Sequence, residues 1–229
     1  ARGRCARRRY RYMIPARPLG LHALSTPELR ERVRQRLAGR EHRDADVRIG
    51  PFAPAVAERI RHRFPVVPRP AAVLVPLVDR GDELNVLFTY RAADLEHHAG
   101  QISFPGGRLE PGDADAISGA LRETEEEIGL DRRYIEVLGR LPDHIVISGF
   151  QVTPVVGLVS PGFTLRLDPT EVAGTFEAPL RHLLDPGTHT PRVLRIFDEE
   201  LTAYDLPWQE HTIWGATAGM LLTFKELLE

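Results

Sequence analysis

Arg122-Glu123-Thr124-Glu125-Glu126-Glu127-Ile128-Gly129 is the most informative stretch of this chain. Four of the five residues from Glu123 to Glu127 are glutamates, and like charges at i,i+4 weaken a helix. Glu123, Glu126 and Glu127 stand at i, i+3 and i+4, so a helix carries them on one face. Three carboxylates on one face read either as a solvated acidic surface or as a site for a hard cation, Mg²⁺ or Mn²⁺ rather than zinc. Arg122 can reach Glu126 and offset part of the charge. The spacing predicts a helix over about 114–128, stopped by Gly129. Upstream, Pro105-Gly106-Gly107 breaks the backbone, and glycines let a main-chain carbonyl approach the same cation. Asp113 adds an acid near the helix start, where it would also cap free amides.

These residues resemble the box of the Nudix hydrolases. Gly107, Arg122, Glu123, Glu126, Glu127 and Gly129 fill the places of that motif. Two departures stand out: Asp113 replaces the usual glutamate, and eight residues rather than seven separate it from Arg122. The resemblance implies an α/β/α sandwich with a mixed sheet flanked by helices, and Mg²⁺- or Mn²⁺-dependent hydrolysis of a diphosphate. It implies that Glu123, Glu126, Glu127 and the Gly106 carbonyl bind the cation, and that Arg122 orients Glu126. Glu123 is a candidate for the base that deprotonates water, and Glu171 is a second, on a later segment.

Leu87-Phe88-Thr89-Tyr90-Arg91-Ala92, then His97, His98, Gly100, Gln101 and Phe104 to Gly107, resemble the signature of the coenzyme A pyrophosphatase subfamily, whose members yield 3′,5′-ADP and 4′-phosphopantetheine. Gly149 to Gly157, Glu171-Val172, Phe176 to Leu180 and Ile213 to Thr217 are similar to the same subfamily. Glu96 departs from it, standing where arginine is common. Arg91, His98, Gln101, Gly106 and Gly107 are therefore expected to touch substrate, Arg91 through charge-assisted contacts. His97 and His98 would point to opposite faces of an extended segment. Trp208 and Trp214 would stack on adenine or pack near the terminal helix. Alternative readings are hydrolysis of a sugar nucleotide or dinucleotide, and a noncatalytic sensor on the same fold; the retained carboxylates speak against the sensor.

Working outward, Ala71–Val78 reads as a buried strand and Leu84–Tyr90 as its hairpin return, with a short strand at Gln101–Phe104. Tyr134–Leu141, Gln151–Val159, Val172–Glu177 and Arg192–Phe197 read as strands, and Leu180–Leu184 as a short helix. A loop with Asp143, His144, Ser148 and Gly149 would overhang the site. Ile213–Leu228 reads as a terminal helix with an apolar stripe for the core or an oligomer interface. Ser25-Thr26-Pro27-Glu28 starts a helix over about Pro27 to Ala38. The expected organisation is an arginine-rich tail (1–24), which begins upstream of the first methionine, Met13, then a helical extension (25–64) and the Nudix domain (65–229).

Composition bounds the remaining classes. The chain has 229 residues, 42% hydrophobic and 27% charged, with net charge −2, which argues against a general nucleic-acid binder. No window is apolar enough to span a membrane. Cys5 is the only cysteine, which excludes an internal disulfide and fits a reducing, cytoplasmic setting. The expected partner is a small molecule, with a homodimer left open.

Overall fold

The computed structural model describes residues 20–40, 47–50, 54–64, 67–92, 100–196 and 199–229. The arginine-rich residues 1–19 and the segment with Glu96, His97 and His98 lie outside them.

The first helix, α1 (Thr26–Leu37), opens with a capping box in which Ser25 and Glu28 satisfy each other's backbone amides. It buries Leu29, Val33 and Leu37 against the central sheet, each worth about 1.5–3 kcal/mol relative to exposure. Strand β1 (Val47–Ile49) and helix α2 (Pro54–Ile60) follow, neither evident from the sequence.

Among the described residues the main sheet has nine strands. Its spine is β2 (Arg69–Asp79), antiparallel to β3 (Leu84–Arg91) as the hairpin reading requires. Beyond β3 come β4 (Ile102–Ser103) and β5 (Gly106–Arg108), and β5 pairs back onto β2. The glycine segment read as a backbone break is thus a short strand, because Ala71–Val73 supply its partners.

Helix α3 (Ala116–Ile128) leads to β6 (Ile135–Arg140), β7 (Asp143–Ile145) and β8 (Phe150–Val159). Strand β8 runs parallel to β2 from Arg69↔Phe150 to Val78↔Val159. Both faces of β2 are covered, which explains its near-continuous apolar run. Ala72 and Leu74 meet Ala116 and Ala120 of α3, while Ala71, Val75 and Leu77 join the core that also holds α1. Strand β9 (Val172–Pro179) pairs with β3, and helix α4 (Leu180–Leu183) follows.

A separate three-stranded sheet comprises β10 (Thr190–Ile196), β11 (Glu199–Trp208) and β12 (His211–Ile213). The last helix, α5 (Gly215–Leu228), buries Ala218, Leu221, Phe224 and Leu228 beside α1. Ile213, expected within that helix, ends β12 instead. The architecture is a mixed sheet flanked by helices. No described helix is long and apolar enough to cross a membrane.

Candidate active site

Helix α3 begins two residues later than its periodicity suggests, because Asp115 rather than Asp113 is the cap. Its side chain accepts from the Ser118 amide at 2.7 Å, and the Asp115 amide donates in turn to the Ser118 hydroxyl at 3.0 Å. Asp115→Ala should cost about 1 kcal/mol, read as a shift in the urea unfolding midpoint. At the other end Gly129 adopts φ +65°, a left-handed stop that glycine takes without strain. The amides of Asp168 and Arg166 then cap the carbonyls of Glu127 and Ile128, each at 2.9 Å. That chain passage brings Glu171, at the start of β9, within electrostatic reach of Glu127 and Glu123.

Arg122 organises the acidic face. Its guanidinium grips Asp113 through two bonds of 3.0 Å, and it donates to Glu123 at 3.0 Å, Glu126 at 2.9 Å and the Arg108 carbonyl at 3.1 Å. Five donors thus find acceptors, a pattern that a lysine cannot reproduce. Asp113, held well below the usual carboxylate range first by Arg122 and then by the Glu110 amide, serves as the anchor of this arginine. Its second expected role, capping the helix, belongs to Asp115. Arg122→Lys should lower stability by about 2 kcal/mol and turnover by about tenfold or more, measured by urea unfolding and by steady-state assay on one preparation.

The three glutamates occupy one stripe of α3 but differ in surroundings. Glu127 is 4% exposed and accepts the Gly106 amide at 3.0 Å. Burial pushes its carboxyl up to about 7; the Gly106 amide and Arg91 oppose this, while Glu171 and Glu123 add to it. Glu123 is raised as well, chiefly by burial, with Arg122 opposing. Glu126 leans outward on Arg122, its side chain 60% exposed. The carboxylates therefore do not meet at one point: among the described residues no three acidic or imidazole side chains form a ready metal cluster. Mutual repulsion and the intervening guanidinium account for their separation.

The glycines are dictated by contact. A Cβ on Gly107 would stand 2.5 Å from the Glu123 carboxyl, and one on Gly106, at φ +147°, would overlap the Ala72 carbonyl. Bare backbone lets the loop lie directly on α3.

A cavity of about 560 Å³ opens beside this loop, between the sheet and α5. Arg91, Gln101, Gly106 and Gly107 line it, so four of the five residues expected at substrate come together; His98 lies outside the described residues. Its walls are mainly apolar, with Val73, Phe104, Phe150, Trp214 and Met220 prominent. Helix α5 is fastened there by the Thr217 hydroxyl, which donates to the Ile102 carbonyl at 3.1 Å. The apolar stripe of α5 thus supplies cavity wall as well as core.

The tryptophans divide: Trp208 packs on the main core and donates to the Glu177 carbonyl at 3.2 Å, whereas Trp214 borders the cavity. The loop expected to overhang the site contains β7. Ser148 reaches the cavity, but His144 is 1% exposed inside the fold and does not line it. Arg108, absent from the sequence-based candidates, also lines the cavity; its position directly after Gly107 was the available signal.

The NUDIX domain family matches residues 68–202. The uncharacterized Nudix hydrolase NudL of Cronobacter sakazakii is 42% identical over 154 residues, covering 67% of this chain and 79% of that protein. Its Escherichia coli K12 counterpart is 39% identical over 153 residues, covering 67% and 79%. A MutT/nudix family protein of Enterococcus faecalis is similar in structure, with TM-score 0.46 and 20% identity over 75% of this chain and 67% of that one. A domain match across most of the chain, together with relatives of this identity along most of their own length, makes the chain a member of the Nudix family.

Proposed function

We propose that this Nudix hydrolase cleaves the diphosphate of coenzyme A or its derivatives, releasing 3′,5′-ADP and 4′-phosphopantetheine or its acylated form. The observation that carries the hydrolytic reading is Glu127, a buried carboxylate bound to the glycine loop and facing Glu123 and Glu171. The signature from Leu87 to Gly107, together with the cavity that opens beside its glycines, supports the choice of coenzyme A.

The all-oxygen donor set suits a hard ion, Mg²⁺ or Mn²⁺, and the carboxylate of Glu127 is buried directly against the glycine loop, where it accepts the Gly106 amide. Glu123, Glu126, Glu127 and the Gly106 carbonyl would hold it. When bound, the ion neutralises charge that develops on the diphosphate oxygens. The protein's own part is to position and to move a proton. Arg91 orients the diphosphate beside the glycine loop, and Arg122 keeps Glu123 and Glu126 in register. Water adds to one phosphorus, the bridging P–O bond breaks, and a carboxylate accepts the water's proton. Glu123 is the first candidate for that carboxylate and Glu171 the second. General-base help is worth about 10²–10⁴ in rate, so glutamine variants of the two separate them.

The deciding assay offers coenzyme A, sugar nucleotides and dinucleotides with Mg²⁺ or Mn²⁺ and compares kcat/KM. Coenzyme A should lead the panel. A sugar nucleotide or dinucleotide in first place would transfer the same chemistry to another nucleoside diphosphate derivative. On this reading the enzyme acts on a small molecule in the cytoplasm.

A further inference from the structure

Arg108 and Phe150 line the cavity, and with Arg69, which lies on Phe150, they bring together two guanidinium groups that the hydrolytic machinery does not use. Arg69, at the start of β2, lies 4.0 Å from the centre of the Phe150 ring, and Arg108, at the end of β5, lies 5.4 Å from it. Strand pairing puts all three on one face of the sheet, because Arg69 is opposite Phe150 and Arg108 is opposite Ala71, two residues along β2. Arg69 donates one bond, 3.1 Å, to the Ser148 carbonyl. Neither arginine forms an ion pair with a carboxylate of the described residues. The contrast is Arg192, which lies over Trp214 and is neutralised by Asp205 at 2.6 Å.

A guanidinium laid on an aromatic ring is held in one orientation while its edge donors stay available, an arrangement suited to a phosphate. Arg108 directly follows Gly107 and lines the cavity, so it stands beside the diphosphate loop, and Arg69 joins it across the Phe150 ring. A coenzyme A molecule bound by its diphosphate at the loop carries one more anionic group, the phosphate monoester on its ribose. The apolar walls do not suit that group; the two arginines do.

We propose that Arg69 and Arg108, ordered on Phe150, bind the ribose phosphate of the substrate and so select phosphorylated over unphosphorylated nucleoside diphosphate derivatives. This rests on the coenzyme A reading above. The pair also places the nucleoside half at the rim, leaving the apolar cavity to the other half of the substrate.

The test is the ratio of kcat/KM for coenzyme A to that for 3′-dephospho-coenzyme A, measured on one preparation so that the active fraction cancels. Wild-type protein should favour coenzyme A by more than tenfold. Arg69→Ala and Arg108→Ala should each bring the ratio several-fold closer to one, chiefly through KM, and the double variant should nearly abolish the preference. Phe150→Leu keeps an apolar contact but removes the ring, and should give an intermediate ratio. If coenzyme A is cleaved but the wild-type ratio is near one, or the arginine variants slow both compounds equally, the inference is overturned while the coenzyme A reading stands. If neither compound is cleaved, both fall together.

Discussion

Glu127→Gln is expected to lower turnover by about 10³ or more while making the protein, freed of divalent ions by chelator, more stable at alkaline pH. The loss of turnover follows from removing a negative oxygen from the proposed cation site. The gain in stability follows from burial. In the fold this carboxyl titrates near 7, against an ordinary value of 4.5, so between those values the folded chain holds a proton that the unfolded chain has released. Stability from this group is therefore complete below about pH 4.5 and is lost as pH rises through 7, to a total of about 3 kcal/mol. Glutamine still accepts the Gly106 amide and carries no charge, so it escapes that loss. Urea unfolding at pH 5.5 and pH 8 checks the result: the wild type should lose more stability than the variant between the two. Unchanged turnover in the variant would remove Glu127 from the metal site.

The second large effect comes from His144. It is 1% exposed, and neither ring nitrogen has a hydrogen-bonding partner among the described residues. Its neighbours along the sheet are Arg48 on β1 and Val152 on β8. Burial first, and the Arg48 charge second, lower its pKa from 6.5 to about 3. Here the unfolded chain binds the proton and the folded chain does not. The contribution is intact above pH 6.5 and is lost as pH falls toward 3, at about 1.4 kcal/mol per pH unit. Between pH 7 and pH 4.5 this amounts to about 2–3 kcal/mol. His144→Leu, similar in volume and uncharged, should lose that much less stability over the same interval. Equal losses in the two proteins would mean that His144 titrates normally.

The local parts of the fold were legible because their signals are local. The carboxylate helix shows in residue spacing and in the Gly129 stop, and α1 shows in Ser25, Pro27 and the Leu29, Val33, Leu37 stripe. The pairing of β2 with β8 depends on segments far apart in the chain, and no periodicity encodes it. Strand β11 does alternate, with Leu201 and Ala203 buried at 1% and 2%, but Asp205 and Pro207 blur the pattern at its end. Strand β7 is short and flanked by Pro142 and Ser148-Gly149, which made Asp143-His144-Ile145 look like loop.

The site was legible in part for the same reason. Glu123, Glu126, Glu127 and Arg122 lie within one helix, so their spacing could be read directly. The bond from Gly106 to Glu127 joins a strand to that helix, and the cavity is assembled from β2, β4, β5, β8 and α5. Arg108 and Arg69 gain meaning only once strand register sets them beside Phe150. The substitution of Asp113 for glutamate also becomes intelligible: its shorter side chain meets Arg122 in a two-bond grip.

The two amides that close the end of α3 have a use beyond holding it. The last turn of a helix usually frays first, and in this protein that turn carries Glu127. Because the Asp168 and Arg166 amides can exchange with deuterated solvent only when they release the Glu127 and Ile128 carbonyls, their exchange rates measure how often the terminal turn opens. They are native reporters of breathing beside Glu127, available in the unmodified protein without any attached probe.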